Sequence, residues 1–169
     1  MNLKVQTWPW IVALLLALVS TVPAIASDTH QHSMGQNVTD MKFGTFPNLP
    51  TCAVGSVQNG DPGTGPSIIF ARVKRGCVIP WHWHTPNEHL MMVSGTARIE
   101  MKDEGKMTLK RGAFAKTPAQ HVHQYTCSSG TCEMYVYSDA AFDIHYVDAD
   151  GKEIPPDQAL KGVRETAGK

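Results

Sequence analysis

Residues 76–95 read GCVIPWHWHTPNEHLMMVSG. Two histidines stand one residue apart, a glutamate follows four residues later, and a glycine closes each end. Strand side chains alternate between faces, so His82 and His84 on one strand point to the same side. Val78 and Pro80 share that side, while Cys77, Ile79, Trp81 and Trp83 take the other. Thr85-Pro86-Asn87 then turns the chain, and Glu88 opens the next strand beside the two imidazoles. Two nitrogen ligands and one carboxylate from so short a stretch suit a first-row divalent metal, with positions left for water or substrate.

A further ligand is expected from a neighbouring strand. Residues 112–127 read GAFAKTPAQHVHQYTC, in which His121 and His123 share one face. Alternation alone does not choose between them.

Around these segments the chain reads as all-β. From Ser67 onward it consists of short runs such as SIIFARVK, HLMMVSG, TARIEM, CEMYVYS and FDIHYV, rich in β-branched and aromatic residues. Turn signals separate them, among them Arg75-Gly76, Ser94-Gly95, Arg111-Gly112 and Ser129-Gly130. Short strands at this spacing predict a sandwich or barrel. Only Pro156 to Val163 has helical character, as a short terminal helix. Residues 27–66 are polar and turn-rich, and predict an extended N-terminal arm with a strand near Thr51 to Val57. Residues 67–147 form the barrel domain and 148–169 a C-terminal tail.

The first 26 residues carry one lysine, an apolar run from Trp8 to Val19 and Ala24-Ile25-Ala26. That pattern predicts a secretory signal peptide over 1–26, with Sec-type export to the periplasm or beyond and no membrane span after cleavage. Export makes the four cysteines disulfide candidates. Cys127 and Cys132 flank the polar SSGT and would pin a hairpin. Cys52 and Cys77 remain to pair, stapling the arm to the body. A four-cysteine zinc site is disfavoured by the lack of any C-x2-C spacing.

The 169 residues carry formal net charge zero. That length suits one domain, and the balance gives no sign of a nucleic acid partner. His30 and His32 are read as part of the arm, and Asp150-Gly151 as a turn rather than a calcium loop. Met91, Met92, Phe114, Tyr125, Tyr135 and Tyr137 are candidates for cavity or core. Alternation from Glu88 and His123 puts Leu90, Met92 and Tyr125 on the metal face, where Tyr125 would orient a ligand or donate a proton.

Gly76-x5-His82-x-His84-x3-Glu88-x6-Gly95 resembles the first motif of the cupins at every position. Gly112, Pro118 and His123 resemble the second, but Gln120 stands where the family has glycine and Cys127 where it has asparagine. The resemblance implies a jelly-roll β-barrel of two antiparallel sheets around one metal-containing cavity. It also implies one divalent transition metal (Cu, Zn, Fe, Mn or Ni) held by His82, His84, Glu88 and His123, with His121 left beside the site. The function expected on that footing is a metal-dependent, dioxygenase-like oxidoreductase acting on a small organic molecule, with Glu88 and Tyr125 assisting proton transfer. A non-catalytic metal- or ligand-binding protein and a Lewis-acid isomerase or hydrolase are the alternatives. A homodimer is expected on analogy with the family.

Overall fold

The structure is a computed structural model that describes residues 33–163. The signal peptide, His30, His32 and the last six residues lie outside the described residues, and residues 36–163 form one folding unit. No helix among the described residues is long and apolar enough to cross a membrane.

Among the described residues nine strands follow in chain order: β1 (Ala53–Gly60), β2 (Ser67–Val73), β3 (Val78–Trp83), β4 (Glu88–Met101), β5 (Gly105–Lys110), β6 (Phe114–Thr117), β7 (His123–Ser138), β8 (His145–Val147) and β9 (Glu153–Ile154). A one-turn helix, α1 (Pro156–Ala159), closes the described chain. Every strand pair is antiparallel.

The two long strands, β4 and β7, organise the fold. The first half of β4 (88–92) pairs with β6 and with the second half of β7 (134–138), which pairs in turn with β2 and so reaches β1. The second half of β4 (97–101) pairs with β5 and with the first half of β7 (123–127), which leads to β3, β8 and β9. The result is a jelly-roll arrangement of two half-sheets that share β4 and β7.

Alternation explains the core and also where it breaks. In β4 the buried positions are 88, 90 and 92, and then 97, 99 and 101. In β7 they are 123, 125 and 127, and then 132, 134 and 138. Each strand changes phase at the same level, as a bulged strand must when it carries extra residues. Gly95, at φ +75°, allows this in β4: a Cβ there would lie 2.5 Å from the Thr131 carbonyl oxygen. In β7 the change of phase falls at Ser128 to Thr131, all exposed, of which Ser129 pairs with Thr96.

This corrects the hairpin expected at SSGT. The runs on either side of it do not pair with each other. They lie end to end, because β2 claims one and β3 the other, and SSGT loops out between them. The Cys127–Cys132 disulfide closes the neck of that loop. Cys52–Cys77 forms the second disulfide. The Cys127 N–H donates to the Cys77 carbonyl and the Cys127 carbonyl accepts from Gly76 N–H, so the two disulfides sit side by side in the core.

The segment before β1 is anchored rather than loose. Gly44 and Gly55 exchange backbone hydrogen bonds, and Tyr146 Oη donates to the Asn48 carbonyl at 2.8 Å. Phe43 packs edge-on against the fully buried Phe70. Arg72 covers the Phe43 ring at 4.1 Å while pairing with Glu133 at 2.8 Å. This segment thereby closes the edge of the cavity between the half-sheets.

Candidate metal centre

Three strands deliver the site. His82 lies on β3, His84 one residue past its end, Glu88 is the first residue of β4, and His123 is the first of β7. His82 and His123 are register partners across β3 and β7. The nitrogen ligand atoms of His82, His84 and His123 lie within 4.8 Å of one another, and all three residues are buried. Glu88 Oε1 lies 3.7 Å from His84 Nε2, and Glu88 Oε2 lies 3.7 Å from His123 Nε2. Thr117, register partner of Glu88, donates its hydroxyl to Glu88 Oε2 at 3.0 Å.

The orientation of each imidazole is fixed from behind. His82 Nδ1 donates to the Pro80 carbonyl at 2.6 Å, His84 Nδ1 to the Asp143 carbonyl at 2.5 Å, and His123 Nδ1 to the His121 carbonyl at 2.9 Å. A carbonyl only accepts, so each ring carries its proton on Nδ1 and leaves Nε2 as a lone pair. This is the arrangement by which backbone carbonyls hold metal-binding histidines in one tautomer. Burial holds the His82 pKa well below the usual histidine value, reinforced by the His123 and His84 rings. Burial also lowers His123, against a partial opposing pull from Glu88. His84 Nε2 is buried without a hydrogen-bond partner among the described residues. Convergent lone pairs, one of them orphaned, beside a carboxylate fit a divalent transition metal.

A cavity of about 80 Å³ opens onto these groups between the half-sheets. Its walls are apolar and include Ile69, Ala71, Leu90, Ile99, Met134 and Val136. Tyr125 lines it too, and its Oη is buried with no hydrogen-bond partner among the described residues. Burial, with the Glu88 charge added, raises the Tyr125 pKa far above its ordinary value, so the hydroxyl keeps its proton.

Of the residues singled out by sequence, His82, His84, His123 and Glu88 come together, and Leu90 and Tyr125 face the same cavity. Met92 shares their face of β4 but lies in the core rather than on the cavity wall. Phe114 is 62% exposed. It stands with His89 and Tyr137 on the opposite face of the half-sheet, where Tyr135 packs on Phe70. His121 serves through its carbonyl, while its ring lies 3.8 Å from Glu104. Ile79, expected to face away from His82, lines the cavity with it. The β3–β7 register shifts between Ile79 and His82. Pro80, which has no N–H to give to the ladder, sits within that irregularity.

Gln120 replaces the glycine of the second motif and adopts φ +60°. Its N–H donates to the His84 carbonyl at 2.7 Å, tying the loop before His123 to the end of β3. Three contributors were not foreseen. Phe46 and Leu49, each followed by a proline in FPNLP, wall the cavity from the arm, and Phe142 places its ring 4.8 Å from that of His84. Two apolar residues within a polar, proline-flanked stretch were the available signal. Asp148 spends its carboxylate on the N–H groups of Asp150 and Lys152, as a turn residue does.

A family model described as the cupin domain matches residues 69–138. Among solved structures, the polyketide cyclase RemF from Streptomyces resistomycificus is similar at 16% identity and TM-score 0.59, over 76% of this chain and 99% of that one. An RmlC-like cupin protein from Ralstonia eutropha is similar at 17% identity and TM-score 0.58, over 77% and 86%. A structure reported for DMSP lyases is similar at 17% identity and TM-score 0.55. That similarity covers 64% of this chain and 63%, less than two thirds, of the other. No curated protein matches the sequence.

Proposed function

The chain is a small cupin-domain protein, and on that premise we propose that it is a metal-dependent oxidoreductase of dioxygenase type acting on a small organic molecule. The observation that carries this reading is the convergence of three Nε2 lone pairs and the Glu88 carboxylate on one point at the edge of an apolar cavity. His82, His84, His123 and Glu88 would hold one divalent transition metal. Such an ion supplies an open coordination position and, where redox-active, electrons. The chain's own groups do the rest. The backbone carbonyls of Pro80, Asp143 and His121 keep the three rings aimed. Thr117 holds one oxygen of Glu88 and leaves the other to accept or return a proton. Tyr125 stays protonated and donates to a substrate oxygen, and the apolar walls exclude bulk water.

A Lewis-acid lyase, isomerase or hydrolase is the second reading. It is favoured by the placement of the Tyr125 hydroxyl, a buried hydrogen-bond donor, beside the site. Similar structures named as DMSP lyases and as a polyketide cyclase support this reading at the level of the fold. Pairing of all four cysteines supports an oxidising compartment, and we place the protein outside the cytoplasm.

Elemental analysis of the protein purified from its native compartment, beside His82→Ala and His123→Ala, tests the reading. About one equivalent of a redox-active metal, lost in both variants, is the expected result. Wild-type protein that stays metal-free after reconstitution would end the metal-enzyme reading. Zinc in the native protein would select the Lewis-acid one.

A further inference from the structure

We infer that Asp143 is the positioning residue for His84, and that the irregular segment between β7 and β8 is a strap whose docking sets this one imidazole from outside the strands. The inference rests on the metal-centre reading above and adds to it the residue that orders one of the ligands.

The three imidazoles are not held alike. The carbonyls behind His82 and His123 belong to Pro80 and His121, each two residues earlier in the same run of backbone. They arrive with the ring they aim. The carbonyl behind His84 belongs to Asp143, 59 residues away in sequence. His84 itself lies just past the end of β3, and residues 139–144 form no strand or helix. Ordering such backbone costs conformational entropy, so the segment needs ties of its own.

Those ties run along its length. Asp139, the residue after β7, accepts the Asn87 N–H at 3.0 Å and the Asn87 side-chain amide at 2.6 Å. Phe142 N–H donates to the Pro62 carbonyl at 2.8 Å. Asp143 Oδ1 accepts the Thr85 N–H at 2.7 Å, and its Oδ2 faces His145 Nε2 at 3.3 Å. Asp143 thus grips two consecutive residues, His84 through its carbonyl and Thr85 through its carboxylate. Hydrogen bonds to a carboxylate are among the stronger ones. The carbonyl therefore does not drift from His84 Nδ1 unless Asp143 also gives up Thr85.

The neighbouring Phe142 lines the cavity with its ring 4.8 Å from that of His84, and so limits how far the imidazole swings. With the strap undocked, the ring is free to turn or to carry its proton on Nε2. Either change removes the lone pair that now stands without a partner among the described residues.

Proton–nitrogen correlation spectra of the imidazoles in the purified metal-free protein test this, beside zinc titration by calorimetry. The His84 signal is identified by its absence from His84→Gln. Wild type is expected to show Nδ1–H signals from His82, His84 and His123, and Asp143→Ala to lose that of His84 alone. Asp139→Ala changes an exposed residue at the far end of the strap. It should speed exchange of the His84 proton and leave the other two unchanged. Zinc affinity should fall about 10–100-fold in Asp143→Ala. Asp143→Asn, which keeps an acceptor for Thr85, should restore most of it. Survival of the His84 signal in Asp143→Ala, its absence from wild type, or loss of all three signals together would each overturn the inference. Wild type that takes no zinc but behaves as expected in the spectra would overturn the metal-centre reading alone.

Discussion

The two disulfides should differ in what they contribute, by an amount that follows from their loops. Cys52–Cys77 closes 25 residues of sequence and Cys127–Cys132 closes 5. Restriction of the unfolded chain gives about 3.5 kcal/mol for the first and about 2 kcal/mol for the second. All four cysteines are 3% exposed or less, so replacing either pair by alanine removes two buried sulfurs. That packing loss is common to both variants and largely cancels in their difference. What remains is the loop term, about 1.4 kcal/mol from the fivefold ratio of loop lengths. Urea unfolding of Cys52→Ala/Cys77→Ala and Cys127→Ala/Cys132→Ala should therefore place the first below the second by that amount, or by about 3–6 °C in Tm. Equal stabilities would refute the argument, and the reverse order would also make the tight neck of the SSGT loop the more important link.

Three further outcomes are expected. Thr117→Val keeps the shape of a side chain that is 1% exposed but removes its hydrogen bond to Glu88 Oε2. Metal affinity, measured by titration, should fall about 10–100-fold with the fold intact. Burial alone would lower the His145 pKa, but hydrogen bonds to Glu153 and Asp143 outweigh it and raise it. A raised folded-state pKa contributes stability that is full below the unfolded value of about 6.5 and fades as pH rises through the folded value. The gap between wild type and His145→Gln in thermal melts should thus be wider at pH 6 than at pH 9, and a gap independent of pH would count against the ion pairs. Gln120→Gly relieves a left-handed side chain worth about 1–2 kcal/mol, offset by about 0.5–1 kcal/mol of glycine entropy. Urea unfolding should show a gain of about 0.5–1 kcal/mol, and a loss would mean that the Gln120 side chain holds the loop in some other way.

Three of the residues that converge at the candidate site were legible because each depends on a short-range rule. Alternation puts His82 and His84 on one side and the Thr85-Pro86-Asn87 turn brings Glu88 back, while His123 was distinguished from His121 only by the resemblance to the second cupin motif. The disulfide partners were legible because the compartment and an even cysteine count leave few pairings. The errors arose where alternation is interrupted. Ile79 faces the cavity because the strand slips at Pro80. The two halves of β7 lie end to end because β2 and β3 compete for them, a tertiary outcome that no local turn signal encodes. Phe46, Leu49 and Phe142 complete the wall from irregular segments, where no period marks a face. Their positions depend on long-range ties such as Tyr146 to Asn48 and Phe142 N–H to the Pro62 carbonyl.

The phase change shared by β4 and β7 bears on how such a sheet is assembled. Fourteen- and sixteen-residue strands have many nearly equivalent ways to align, and a slip of one residue turns every side chain over. Interruption at Gly95 and at the tied-off SSGT loop divides each alignment problem into two short ones. A slip in the half that carries Leu90 cannot propagate into the half that carries Ile99, so each can correct itself while the other stands. Insertions at Ser128–Thr131 should leave both halves in step, since the added residues fall between the paired runs 123–127 and 133–138.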